Sequence, residues 1–257
     1  MSASIRLSVS DGIAHLTFAR PSRLNAFDFA MGDAYRDACR EATSSGARAI
    51  VLDAEGPAFC AGGDVLAMAA AGVTGAEVTR AARVIHEGLA TLVDSPVPVV
   101  AAVRGAVAGG GIGLMLAADH VVAAPTLRIA GRYADVGLTP DLGVSTLLAR
   151  AIGERRALAV LLTGVELDAA TALAWGAVEE VADDPEARAV TIARAWADGP
   201  HHALGQAKRL VRAGASRPWR DSLDDEAATI GAAYDGAEAR DRIAAFADSH
   251  GERGGAR

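Results

Sequence analysis

Lysine is almost missing from this 257-residue chain. Lys208 is the only one, and arginine supplies the other 24 of 25 basic residues. Lys208 is followed by Arg209. That excludes a P-loop, which needs Gly-Lys-Ser/Thr to hold phosphate. The arginine bias reads as genomic codon preference rather than a functional patch. Net positive charge is missing too: the formal charge is −7, the wrong sign for a nucleic-acid footprint. Cysteine is scarce. Cys39 and Cys60 are the only two, too few for a disulfide framework, so a reduced cytoplasm is the expected compartment. No apolar run reaches the length of a membrane span before Gly, Asp or Arg interrupts it, so no membrane partner is expected. The opening MSASIRLSVSDG turns polar before a signal-peptide core develops. His86-Glu87 lacks a second His at helical spacing, so there is no zinc helix, and no metal site is expected. Gly143 to Leu147 lacks the closing glycine of a nucleophile elbow.

What is present is apolar residue in quantity, 51% of the chain, enough for a sizeable core. Residues 5–9 and 13–18 alternate around Asp11-Gly12, a hairpin signal. A helix is expected over residues 28–43, a strand at 48–53, a helix at 77–93 and a strand at 97–103. A glycine-rich loop then opens an apolar helix at 110–118, and two short strands follow, in HVVAA and LRIA. From Val144 the pattern is mostly helical, interrupted by a turn and a short strand after Trp175. Residues 185–247 carry only helical signal, and the tail after Phe246 reads as frayed. Strands separated by helices give an α/β class with a helical appendage.

Two glycine loops stand out. VRGAVAGGGIGLMLAAD, residues 103–119, follows a strand and opens a helix. Neither possible register completes the dinucleotide fingerprint, because Leu114 or Leu116 takes the last glycine position. Close packing at a strand–helix turn is one reading of this loop. A bare backbone N–H aimed at a negative oxygen is the other. AFCAGGD, residues 58–64, also follows a strand and also offers N–H groups without side chains. Two donors from separate loops are what an oxyanion hole requires.

Four segments, in order, carry a resemblance. They are RPSRLNAF (20–27), GPAFCAGGDV (56–65), VPVVAAVRGAVAGGGIGL (97–114) and DVGLTPDLGVSTLLARAIG (135–153). LTGVELDAATALAWGAVEEV (162–181) extends it. Together they resemble the crotonase superfamily, the enoyl-CoA hydratase/isomerase enzymes. The resemblance implies a crotonase-type spiral of ββα turns, with a C-terminal helical region that supports homotrimers or hexamers. It implies an acyl-CoA-binding core over residues 1–190 and a helical region over 191–257. It implies an acyl-CoA thioester as substrate, with no separate cofactor. Gly63 and Gly110 stand at the two backbone donor positions for the thioester oxygen. Arg23, Ala26, Ala61, Gly63, Asp64, Val65 and Leu66 stand in the CoA-contacting loops, and Arg23 is a candidate partner for a CoA phosphate. Asp64 is also expected to hold its turn, and Asp135 to brace the segment leading to Asp141.

The departures matter as much. The hydratases place two glutamates where this chain has Gly113 and Tyr133. Hydration needs one group to activate water and another to handle the α-proton. The GLTPDLG segment instead resembles the isomerase branches, notably 1,2-epoxyphenylacetyl-CoA and enoyl-CoA isomerases, whose working aspartate falls at Asp141. One carboxylate suffices for a 1,3-proton shift when an oxyanion hole holds the enolate between the two steps. Asp141 has a second reading, since an Asp just before an apolar helical run is a standard N-cap. Tyr133 lines the acyl pocket or belongs to the core. The expected function is acyl-CoA isomerisation. The rivals are a non-catalytic acyl-CoA-binding homologue and a weak hydratase.

Overall fold

The chain opens with a hairpin. A computed structural model, which describes residues 3–254, pairs β1 (Ile5–Ser10) with β2 (Ile13–Phe18) in antiparallel register, Ile5 opposite Phe18. Asp11 and Gly12 between them both have positive φ (53° and 76°), the turn whose twist matches that of the flanking strands. Helix α1 (Phe29–Ser44) starts at Asp28, whose carboxylate accepts the Met31 N–H at 2.9 Å. Strand β3 (Ala49–Ala54) returns parallel to β2. Two helices follow, α2 (Val65–Ala71) and α3 (Gly75–Asp94), the second opened by a Thr74/Glu77 capping box.

The next stretch shows the spiral. Strand β4 (Val99–Val103) lies parallel to β3, and two residues later the chain is already in β5 (Ala106–Ala108) of a second sheet. Gly105 makes that corner at φ 56°, where a Cβ would lie 1.9 Å from the Pro57 carbonyl oxygen, so only glycine fits. Helix α4 (Gly111–Leu116) leads to β6 (His120–Ala123) in the first sheet and β7 (Arg128–Ala130) in the second. Helices α5 (Val144–Ile152) and α6 (Glu154–Leu162) precede β8 (Leu167–Asp168), α7 (Ala169–Trp175) and β9 (Glu180–Val181). The first sheet runs β1-β2-β3-β4-β6-β9, parallel beyond its hairpin, and the second runs β5-β7-β8. This is the ββα spiral that the resemblance implied.

Every residue of β4 is buried. Val99, Ala101 and Val103 join the main core, while Val100 and Ala102 face Ala189, Ala193 and Ala197. Those alanines come from α8 (Pro185–Asp198), which lies across the sheet. A strand covered on both faces reads as a continuous apolar run rather than an alternating one. The division expected at residues 190/191 falls inside α8. Three further helices close the chain, α9 (His201–Gly214), α10 (Trp219–Tyr234) and α11 (Ala237–Gly254). The helix runs through Gly254, into the tail after Phe246; residues 255–257 lie outside the described part. Lys208, the one lysine, is buried and bonds Asp119 and the carbonyls of Leu92 and Val97, tying α9 to the sheet. Cys39 and Cys60 are free and buried. No helix of the described residues is long and apolar enough to cross a membrane.

Candidate active site

The two glycine loops meet. The Cys60 N–H donates to the Ala106 carbonyl at 3.2 Å, and the Ala108 N–H donates to the Cys60 carbonyl at 2.9 Å. Glycine makes this approach feasible. A Cβ on Gly62 would stand 2.9 Å from the Ala108 oxygen, and one on Gly111 would stand 2.4 Å from the Cys60 oxygen. Past this contact the chains diverge into α2 and α4. The N–H groups of Gly63 and Gly110 donate to nothing among the described residues, and both glycines line one cavity. That cavity has a volume of about 200 Å³. Its walls are mainly apolar, lined by Phe27, Met68, Ala82 and Ile85 of α3, Val136 and Leu138, together with Tyr133 and Asp141.

Asp141 does not cap α5. The residue before that helix is Gly143 at φ 76°, and the Val144 N–H bonds the Asp141 main-chain carbonyl at 2.9 Å. The carboxylate is instead turned to Tyr133, whose O–H donates to Oδ1 at 2.6 Å. The Asp141 N–H donates back to the same hydroxyl oxygen at 3.3 Å. Burial and the adjacent Asp141 charge both push the Tyr133 hydroxyl well above the ordinary tyrosine range, so it stays protonated and remains a donor. The other carboxylate on the cavity wall, Asp28, is committed elsewhere: it caps α1 and pairs with Arg20 at 3.1 Å.

Gly113 proves to be more than a missing acid. A Cβ there would stand 1.8 Å from the Leu142 carbonyl oxygen. On Gly110 it would stand 2.7 Å from Leu142 Cδ1. The Asp141–Leu142 segment therefore fills the space that a side chain at 113 would need. Leu142 itself has φ 46°, and its N–H donates to His86 Nε2 on α3 at 3.1 Å. Sequence reading considered His86 only as a failed zinc ligand. A solitary histidine on a helix carries no local signal of a partner 56 residues away.

The remaining expected residues divide in two. Ala61, Gly63, Val65, Gly110, Tyr133 and Asp141 line the cavity; Arg23, Ala26, Asp64 and Leu66 do not. Asp64 is buried. It accepts the Ala67 N–H at 3.0 Å as the cap of α2, and pairs with Arg20 and Arg23, both at 2.9 Å. The Arg23 hydrogen bond, the α2 backbone and Arg20 together hold its carboxyl down to about 2. Arg23 is therefore already engaged by a carboxylate in this structure, and Arg20, unremarked in the sequence, shares it. Asp135 pairs with Arg132 at 3.2 Å beside the cavity rim. Burial pushes the Cys60 thiol up to about 12, so it is no nucleophile. Among the described residues no group of three His, Cys, Asp or Glu is placed to hold a metal ion.

Comparison with known proteins agrees with this architecture. The sequence profile described as "Enoyl-CoA hydratase/isomerase" matches residues 8–251. A Rhodobacter capsulatus protein named "Probable enoyl-CoA hydratase" is 37% identical over 95% of this chain and 94% of its own length. The 1,2-epoxyphenylacetyl-CoA isomerase of Escherichia coli is 32% identical over 93% of each chain. The solved structure of an enoyl-CoA hydratase from Polaromonas sp. superposes with a TM-score of 0.90 at 29% identity, covering 96% of this chain and 98% of that one. This chain belongs to the enoyl-CoA hydratase/isomerase family.

Proposed function

We propose that within this family the protein is an acyl-CoA isomerase, moving a double bond or opening an epoxide through an enolate. The observation that carries this reading is the state of Asp141. Among the described residues it is the one carboxylate on the cavity wall tied neither to a helix cap nor to an arginine. The thioester oxygen sits between the Gly63 and Gly110 N–H groups, whose hydrogen bonds strengthen as charge develops on that oxygen. Asp141 takes a proton from one carbon next to the double-bond system, leaving an enolate. The same carboxylic acid returns the proton at the other end, which moves the double bond without net change in composition. Tyr133 orients the carboxylate through its 2.6 Å bond and does not itself lose a proton.

Hydration is the competing chemistry, and the Rhodobacter relative's name favours it. It needs a second acid–base group, and the position where hydratases carry one is here Gly113, closed by the Leu142 carbonyl. The test is to incubate trans-3-hexenoyl-CoA and trans-2-hexenoyl-CoA with the enzyme in D₂O and weigh the products. Isomerisation moves the double bond without adding water, so the product keeps the substrate's mass apart from any deuterium exchanged onto the carboxyl between the two steps. A hydratase gives 3-hydroxyhexanoyl-CoA, and that result overturns the proposal. Binding of hexanoyl-CoA without turnover of either enoyl-CoA, or of an epoxyacyl-CoA, makes the protein a non-catalytic binder.

A further inference from the structure

The segment that carries Asp141 is strained. Leu142 has φ 46°, a left-handed conformation that costs a leucine free energy and persists only where the surroundings over-determine it. Four features surround it. Its carbonyl occupies space left free by the absent side chain of Gly113, and its own side chain lies against Gly110. Both glycines permit the turn, but neither pulls the chain into it. The other two are attractive: the Val144 N–H closes the turn on the Asp141 carbonyl at 2.9 Å, and the Leu142 N–H donates to His86 Nε2 at 3.1 Å. No other acceptor for this N–H exists among the described residues. A nitrogen that accepts an N–H carries no proton, so this bond requires the ring hydrogen of His86 to sit on Nδ1.

The rotation at Leu142 φ is rotation about the bond joining the core-anchored Leu142 Cα to the Asp141–Leu142 peptide. Leu142 is buried, so relaxing φ swings the Asp141 side of the peptide rather than the Leu142 side chain. His86 does not line the cavity. It stands on α3 one residue beyond Ile85, which does line it, so the helix that shapes the cavity wall also holds the turn. Tyr133 grips Asp141 from the other side.

We propose that His86 is a positioning residue: its bond to the Leu142 amide locks the left-handed turn that aims the Asp141 carboxylate into the cavity. This rests on the reading of Asp141 as the proton shuttle. The test compares His86→Leu, which removes the acceptor, with His86→Gln, whose amide oxygen reaches the place of Nε2. Turnover is read with trans-3-hexenoyl-CoA, affinity with hexanoyl-CoA, and the turn itself by amide hydrogen exchange at Leu142. His86→Leu should lower kcat by about ten- to a hundredfold, the scale expected when a reacting group is misplaced by about 1 Å. KM and hexanoyl-CoA affinity should change by less than about threefold, since the groups that hold the ester are untouched. Leu142 exchange should accelerate at least about tenfold as the protecting bond is lost. His86→Gln should recover most of both losses. Wild-type exchange at Leu142 in His86→Leu overturns the proposal, whatever substrate the enzyme prefers. So does a Gln variant as impaired as the Leu variant. Asp141→Asn measured alongside separates the two claims. If it turns over normally while His86→Leu still loosens Leu142, the shuttle reading has failed and the lock on the turn stands.

Discussion

Replacing Gly113 with alanine puts a methyl group where the Leu142 carbonyl now sits. The added Cβ would stand 1.8 Å from that oxygen, whereas ordinary contact begins near 3.4 Å. Helix α4 is buried throughout and cannot withdraw, so the Leu142 segment must retreat by about 1.2–1.6 Å. Overpacking of this kind costs about 1–3 kcal/mol. At this chain length that lowers Tm by roughly 2–6 °C. The displaced segment carries Asp141, and a shift of about 1 Å in a reacting group costs about 10²-fold in rate. Gly113→Ala should therefore fold, melt several degrees lower, and isomerise 3-hexenoyl-CoA about a hundredfold more slowly. Thermal melts by circular dichroism and a kcat measurement check both numbers. Gly113→Glu, which restores a hydratase-type acid by sequence, should gain no hydratase activity, because its side chain has no room. An alanine variant with unchanged Tm and unchanged kcat would show that the Leu142 carbonyl does not occupy this space.

Further outcomes follow from the same contacts. Tyr133→Phe removes the donor to Asp141 and should lower kcat by about tenfold with little change in KM, as for the loss of one hydrogen bond to a charged group; steady-state kinetics decide it. Asp64, held down to about 2, binds its proton later in the folded than in the unfolded chain. Its contribution to stability is complete above the ordinary aspartate range, about pH 4, and is lost as pH falls toward about 2. Asp64→Asn keeps a capping side chain but should flatten that acid limb in denaturant melts run from pH 7 to pH 2. Trp219, Ile230 and Tyr234 on α10 stand exposed at 73%, 71% and 66%. We expect these faces to be covered in a homotrimer or a dimer of trimers; a stable monomer by light scattering at micromolar concentration would contradict it.

Much of this architecture was readable before any coordinates. Alternation around Asp11-Gly12, the helical periodicity from Asp28 and the Val-rich β4 all express local rules of pairing, periodicity and burial. The elements without a sequence expectation of their own, one of them inside the stretch from Val144 that reads as mostly helical, are short or featureless. Helix α2 is seven residues with no buried position, and β8 has two residues paired only with β7. Neither offers enough periodicity to be seen. At the site, the glycine loops were visible as loops, but their contact through Cys60 and Ala108 is long-range and left no trace in either segment alone. The Asp141 ambiguity had the same origin. Its cap reading was sound locally and lost to Gly143, whose left-handed φ starts α5 without a side chain. Arg23 looked like a free cation because its partner, Asp64, lies 41 residues on. His86 was invisible because its contact depends on the strained φ of Leu142, which no composition predicts.

The most direct measurement is Asp141→Asn assayed with 3-hexenoyl-CoA, following the double-bond shift to 2-hexenoyl-CoA. Asparagine keeps the size of the side chain and an oxygen to accept the Tyr133 hydroxyl, and the N–H groups of Gly63 and Gly110 remain. Melting temperature and hexanoyl-CoA affinity should therefore stay close to wild type. Turnover should fall by about 10²–10⁴-fold, the worth of a positioned acid–base group. An Asn variant that folds, binds and still moves the double bond at the wild-type rate would show that Asp141 is not the proton shuttle.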